Sequence, residues 1–348
     1  MKLSDCTFVA LLAALSASAV AGEPSRPLVA AEGACAIAQD AGGAEMPAVG
    51  CCDGDPVWRI RANVVWMRLS RPNDAALATD FTPGGNVLLN ASEFKFNNQC
   101  GPEIAIARQI NDDWNVEGRF FRIDGWNASR GSVDALESDV QYASPFRIGV
   151  PPSFFIYDTT IAGSYRSELT DVEINFRRQI NDFWSVLLGF RYLGLDESLA
   201  LQQGVNFGFA TFTHDIGAVN DLYGFQIGAD MNLWSCGPLS VQGLFKAGVY
   251  GDHATNRAHI GLTHSDYSAD SNAAADGVAF VGEMGITGVY RFTNHLSLRG
   301  GYQLLWLEGV AQASDQVAVS NPLAGTATVS FRSSPLYDGA FLGLEFAR

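Results

Sequence analysis

Residues Arg178–Tyr192 read R-Q-I-N-D-F-W-S-V-L-L-G-F-R-Y, and Arg108–Arg122 read R-Q-I-N-D-D-W-N-V-E-G-R-F-F-R. A looser copy spans Arg291–Tyr302 as R-F-T-N-H-L-S-L-R-G-G-Y. In each copy a strand-like run enters a short polar turn, and an alternating run leaves it. The turns are built on Asn-Asp or Asn-His, whose side chains bond to nearby backbone and tolerate turn geometry. Each copy therefore reads as a β-hairpin. A hairpin that recurs along one chain, with long polar stretches between the copies, predicts an up-and-down barrel.

Outward from these turns the alternation continues. Trp58, Ile60, Ala62, Val64 and Trp66 alternate with Arg59, Arg61 and Asn63. Tyr223, Phe225, Ile227, Ala229, Met231 and Leu233 alternate with Gly224, Gln226, Gly228, Asp230 and Asn232. A period of two with one apolar and one polar face marks a strand. Such runs fall near 57–69, 94–109, 114–124, 164–179, 184–195, 221–233, 239–250, 278–291, 296–309 and 337–346. Short turns at about 110–113, 180–183, 234–238 and 292–295 alternate with long segments at 70–93, 125–163, 196–220, 251–277 and 310–336. Outer-membrane barrels have this asymmetry, with short periplasmic turns and long external loops. The expected fold is an all-β, transmembrane, up-and-down antiparallel barrel of about 10 strands. A further hairpin at Ser153–Tyr157 would make 12.

Composition narrows the class. The net charge of −15 argues against a nucleic-acid partner. Charged residues are only 17% and aromatics 11%, which fits a surface that partly faces lipid. Lys2, the apolar run Phe8–Val20 and Ala19-Val20-Ala21 read as a signal peptide over 1–21, cleaved before Gly22. No later apolar run approaches the roughly 20 residues that a membrane helix needs. A membrane location then requires a closed barrel, because only helices and closed barrels satisfy every backbone group in hydrocarbon. A soluble β-sandwich would alternate in the same way. Against it, Trp58, Trp66, Trp114, Trp184, Tyr192, Trp234, Tyr290 and Trp306 fall near strand ends, as two aromatic girdles would.

Residues 22–55 are rich in Ala, Gly and Pro without periodicity and read as a flexible periplasmic leader, with the barrel over 56–348. Export permits disulfides. In the strand scheme Cys236 lies in a periplasmic turn and Cys51 and Cys52 precede the first strand, so Cys236 is expected to pair with Cys51 or Cys52.

The block N-D-L-Y-G-F-Q-I-G-A-D from Asn220, with Lys246–Gly251, resembles a porin-like family of outer-membrane β-barrel proteins found mainly in planctomycete-type bacteria. Glu173-Ile174-Asn175, Gly189-Phe190-Arg191-Tyr192 and Gly300-Gly301-Tyr302 extend the resemblance, which runs from about residue 57 to the C-terminus. It implies an outer-membrane location and a barrel, and no reaction.

The inward set is expected to comprise Arg59, Arg61, Glu117, Arg119, Glu173, Arg177, Arg191, Asp230, Lys246, Glu283, Arg299 and Glu345. Side chains nearly fill a barrel of this size. Mixed charges would either pair across the lumen and stiffen it or line a narrow water-filled pore. His253, His259 and His264 gather with Asp252, Asp266 and Asp270, and His214-Asp215 precedes them. No GxSxG, HExxH or EF-hand pattern accompanies them, so no catalytic residue, metal or cofactor is expected. The functional expectation is a narrow porin-like channel or a structural envelope component. The alternatives are a binding or adhesion protein working through long external loops, and an outer-membrane hydrolase. Expected partners are outer-membrane lipid, the barrel-assembly machinery and ions or small solutes, with the protein a monomer.

Overall fold

The computed structural model describes residues 57–80, 86–135, 140–142, 159–205, 210–263 and 266–348. The expected signal peptide, the leader and the additional hairpin at Ser153–Tyr157 lie outside the described residues.

Ten strands form the barrel: β1 (Trp58–Leu69), β2 (Gln99–Gln109), β3 (Trp114–Ala135), β4 (Thr159–Gln179), β5 (Trp184–Val205), β6 (Ala210–Cys236), β7 (Leu239–Leu262), β8 (Ser268–Arg291), β9 (Leu296–Glu308) and β10 (Leu336–Ala347). Each pairs antiparallel with the next in sequence, and β10 closes on β1. The expected barrel of ten strands is the one observed.

The repeated turn has a definite chemistry. Asn111 Oδ1 accepts from the amides of Asp113 (3.1 Å) and Trp114 (2.9 Å). Asn181 Oδ1 does the same with Phe183 and Trp184, both at 2.9 Å. In the third copy Thr293 Oγ1 takes this role with His295 (3.2 Å) and Leu296 (3.0 Å). The third turn is thus offset by one residue from the reading on Asn294-His295, because a Thr hydroxyl can replace the Asn carbonyl.

The strands differ in height. β3 to β8 run from 21 to 27 residues, whereas β1, β2, β9 and β10 run from 11 to 13. A tilted strand crosses a bilayer in about 9–11 residues, so one wall rises well beyond the membrane. The segments 125–163, 196–220 and 251–277, expected as external loops, are in their described parts largely strand.

Two environments are stacked along each tall strand. Near the turns, outward residues are large, apolar and exposed, such as Trp184, Leu188 and Phe190 on β5, Phe225 and Ile227 on β6 and Ile286 on β8. Leaving one such side chain in water costs about 1.5–3 kcal/mol relative to burying it. A continuous outward belt of them is a surface for hydrocarbon. Exposed Trp58, Trp114, Trp184, Trp234 and Tyr290 border it at the turn end, and Tyr223 at the other. Beyond that border the pattern inverts. On β5 the inward Leu193, Leu195, Leu199 and Leu201 are fully buried, while the outward Asp196, Ser198 and Gln202 face water. On β5 inward positions keep their parity through the change, so it is hydrophobicity, not geometry, that swaps sides there, whereas on β3 a register shift between Ile123 and Trp126 changes the parity as well.

The four short strands leave a gap that two inserts fill. Residues 70–98 contribute Leu77, Leu89 and Phe94, all fully buried. Residues 309–335 form the outer plug, which contains a short helix (Ala313–Gln316) and a small hairpin (Ser320–Asn321 with Thr326–Ala327). Gly309 begins this plug at φ +80°, and a Cβ there would sit 3.0 Å from the carbonyl oxygen of Val278. Only glycine makes that inward turn without strain. Trp126, Tyr165 and Tyr337 are the aromatic centre of the outer core, and Trp126 Nε1 donates to the Met67 carbonyl at 3.1 Å.

Cys100 and Cys236 are each disulfide-bonded. Cys51 and Cys52, the partners expected for Cys236, lie outside the described residues.

Candidate functional site

The lumen has three layers. At the turn end a cavity of about 350 Å³ opens to solvent, lined among others by Arg59, Arg61, Glu117, Arg177, Asp230 and Arg299. Arg61 and Arg177 converge on Glu117. Arg177 Nε lies 2.8 Å from Asp230 Oδ2, a contact of charges rather than an aligned hydrogen bond. Arg299 bonds Glu345 across the β9–β10 seam at 2.5 Å.

Above the mouth the lumen is filled by a buried ionic layer. Arg119 on β3 reaches Glu103 (3.0 Å), Glu173 (2.8 Å) and Glu283 (2.7 Å). Arg191 on β5 pairs with Asp171 and, at 2.9 Å, with Glu283. Lys246 on β7 meets Glu173 at 2.8 Å and Glu283 at 3.4 Å. Asn175 and Gln226 donate to Glu173 at 2.8 Å each, and Asn63 donates to Glu103 at 2.5 Å. Ions taken out of water need this density of partners, since removing one partner typically costs about 3–5 kcal/mol. Asp171, Glu173 and Glu283 lie close enough together to share a cation. Arg119, Arg191 and Lys246 already supply positive charge at those oxygens.

Every residue of the expected inward set lies on the inner side of the barrel, with Arg59 at the exposed mouth. Glu103, Asp171, Asn63, Asn175 and Gln226 were not in that set, although they share its parity. Asp171 stands where the apolar pattern changes sides, and Glu103 follows Pro102, so neither lies inside a clean run.

The outer layer is the apolar core with its plug, held by polar side chains of the tall wall. Glu197 accepts from Tyr165 Oη (2.5 Å), Ser167 Oγ (3.1 Å) and the Ala313 amide (3.1 Å). Burial raises its carboxyl above the usual range, against these bonds, which act to lower it. Asn220 grips Ala311 at both backbone groups, donating at 2.8 Å and accepting at 2.7 Å. Asn256 donates to Ser320 Oγ (2.8 Å) and the Thr328 carbonyl (2.7 Å).

The histidines do not converge. His253 with Asp276 and His259 with Asp270 are exposed outward cross-strand pairs, each at 2.7 Å. His214 points inward and is buried, which lowers its pKa to about 4, while its neighbour Asp215 points outward. His264 lies outside the described residues.

A closed antiparallel barrel with an apolar outer belt and a polar lumen has the architecture of an outer-membrane β-barrel. A sequence profile of the family described as "Putative beta barrel porin-7 (BBP7)" matches residues 157–335, and the chain belongs to that family. The match runs from β4 through the outer plug. It is narrower than the resemblance from residue 57 onward. No curated protein sequence matches the chain. Among solved structures, the outer membrane protease OmpT from Escherichia coli is similar at 12% identity and a TM-score of 0.42, over 83% of this chain and 97% of that one. The P. putida toluene transporter TodX is similar at 12% identity and a TM-score of 0.35, over 85% and 91%. The translocator domain of the autotransporter NalP from Neisseria meningitidis gives 9% identity and a TM-score of 0.35, over 85% and 90%. The protein is an outer-membrane barrel of the porin-like class.

Proposed function

We propose that the protein is a porin-like barrel whose lumen is shut at rest, and that solute passage requires both the ionic layer and the outer plug to move. The observation that carries this reading is the Arg119–Glu283 ion pair at 2.7 Å, which joins opposite walls of the barrel. Gating by charged side chains in the lumen is a general channel device. The reading includes export by a cleaved signal peptide, folding by the barrel-assembly machinery, a monomeric state in outer-membrane lipid, and ions or small solutes as cargo. It assigns no catalysis, which the porin-like family supports.

Planar-bilayer recording of the purified, folded protein tests it. The expected trace is silent at low voltage with brief openings at higher voltage. Steady open steps at low voltage would refute a closed resting state. Silence at every voltage would leave the structural envelope role in its place.

A further inference from the structure

A second cavity, of about 600 Å³, lies in the outer wall beyond the lipid-facing belt. Its floor is two outward rows on β3, β4 and β5. One row is Asn127, Arg166 and Ser198, and the next is Ser129, Ser164 and Ala200. Lys95 and Asn97, from the insert that precedes β2, complete the rim. The register of β3 against β4 shifts on both sides of these rows, between Ile123 and Trp126 and between Arg130 and Val133. Bulges of this kind bend a strand and re-aim its side chains, and here they flank the cavity.

The chemistry of the lining is selective. The chain carries 37 Asp and Glu against 22 Lys and Arg, yet among the described residues no carboxylate lines this cavity. Its described lining consists of two cations, amides, hydroxyls, Tyr165 and two alanines. Arg166 is held by Glu168, which also binds Arg122, and Arg122 in turn binds Asp124. Those four charges balance. Lys95 forms no ion pair among the described residues and adds one net positive charge at the rim. One surplus cation beside an array of hydroxyl and amide groups suits a ligand with one anionic group and several hydroxyls.

We infer that this cavity binds an anionic saccharide, a sugar bearing phosphate or carboxylate. The cation meets the anionic group through a charge-assisted hydrogen bond, and Asn97, Asn127, Ser129, Ser164 and Ser198 meet the hydroxyls. The site is separate from the lumen, so it can fail or stand independently of the closed-channel reading. The same chemistry is presented by a glycolipid headgroup in the membrane and by a free saccharide.

Titration calorimetry on the full chain, refolded in detergent without lipopolysaccharide, tests the inference. The probes are glucose 1-phosphate, glucose and inorganic phosphate. Glucose 1-phosphate is expected to bind at least about tenfold more tightly than either fragment. Lys95→Ala should weaken it about tenfold, and Ser164→Trp, which fills the cavity from an outward position, should abolish it. Both variants should keep the unfolding profile of the parent. Competition by lipopolysaccharide identifies the membrane headgroup as the source, and its absence identifies a free saccharide. No preference for glucose 1-phosphate over inorganic phosphate, or binding unchanged in both variants, would overturn the assignment.

Discussion

Arg119 on β3 and Glu283 on β8 meet at 2.7 Å although β4 to β7 separate their strands one way round the barrel and β9, β10, β1 and β2 the other way. A single ion pair therefore spans the lumen between opposite walls. Both side chains are buried, so each partner depends on the other's charge. Glu283→Ala should destabilise the barrel by about 3–5 kcal/mol, because it leaves Arg119, Arg191 and Lys246 short of a counter-charge. Urea unfolding in detergent, followed by tryptophan fluorescence, measures this.

The outer plug should come loose before the barrel does. Its backbone is gripped by Glu197 and Asn220 from strands far away in sequence. Removing a partner from a buried polar group costs about 1–3 kcal/mol. The pair Glu197→Ala and Asn220→Ala should make 309–335 sensitive to limited proteolysis while the barrel stays intact. Equal resistance in the parent and the variant would show that the grip lies elsewhere.

Asp252 sets a pH dependence. It sits inward just beyond the membrane belt, level with Leu222 and Gly277, and neither carboxylate oxygen has a hydrogen-bond partner among the described residues. Burial, followed by the nearby Asp221, raises its pKa from 3.8 to about 7. A carboxyl whose pKa is raised on folding contributes stability below its ordinary pKa, and that contribution is lost as pH rises through about 7. Asp252→Asn should therefore raise the melting temperature at pH 8 and leave it nearly unchanged at pH 4. Melting curves at the two pH values decide.

The swap of hydrophobicity along each tall strand predicts opposite responses to one substitution. Phe225 and Val219 both face outward on β6, but Phe225 lies in the belt and Val219 beyond it, beside Asp196. Phe225→Arg should cost about 2–4 kcal/mol and Val219→Arg almost nothing. Refolding yield into lipid vesicles against urea gives both numbers.

The same swap explains how much of the fold could be read from sequence. Strand number, order and turn positions follow from the alternation and from the Arg-Gln-Ile-Asn-Asp repeats. On β5 the large apolar residues, Leu187 apart, are even-numbered from Trp184 to Tyr192 and odd-numbered from Leu193 to Leu201. A search for one constant phase stops at that point, so the upper halves of β3 to β8 read as loops. The lumen charges were legible because parity alone puts them inside. The outer plug was not, since 309–335 has no period. Its path is fixed by Gly309 and by contacts from Glu197 and Asn220, which no local pattern encodes.

Single-channel recording on the double variant Arg119→Ala with Glu283→Ala, set beside the parent, tests the closed-lumen account most directly. Removing both charges takes away the contact that bridges the walls without leaving that pair half-paired. The account predicts a parent that is silent at low voltage and a variant with more frequent, longer openings. A parent that conducts steadily, with a variant no different from it, would contradict the account.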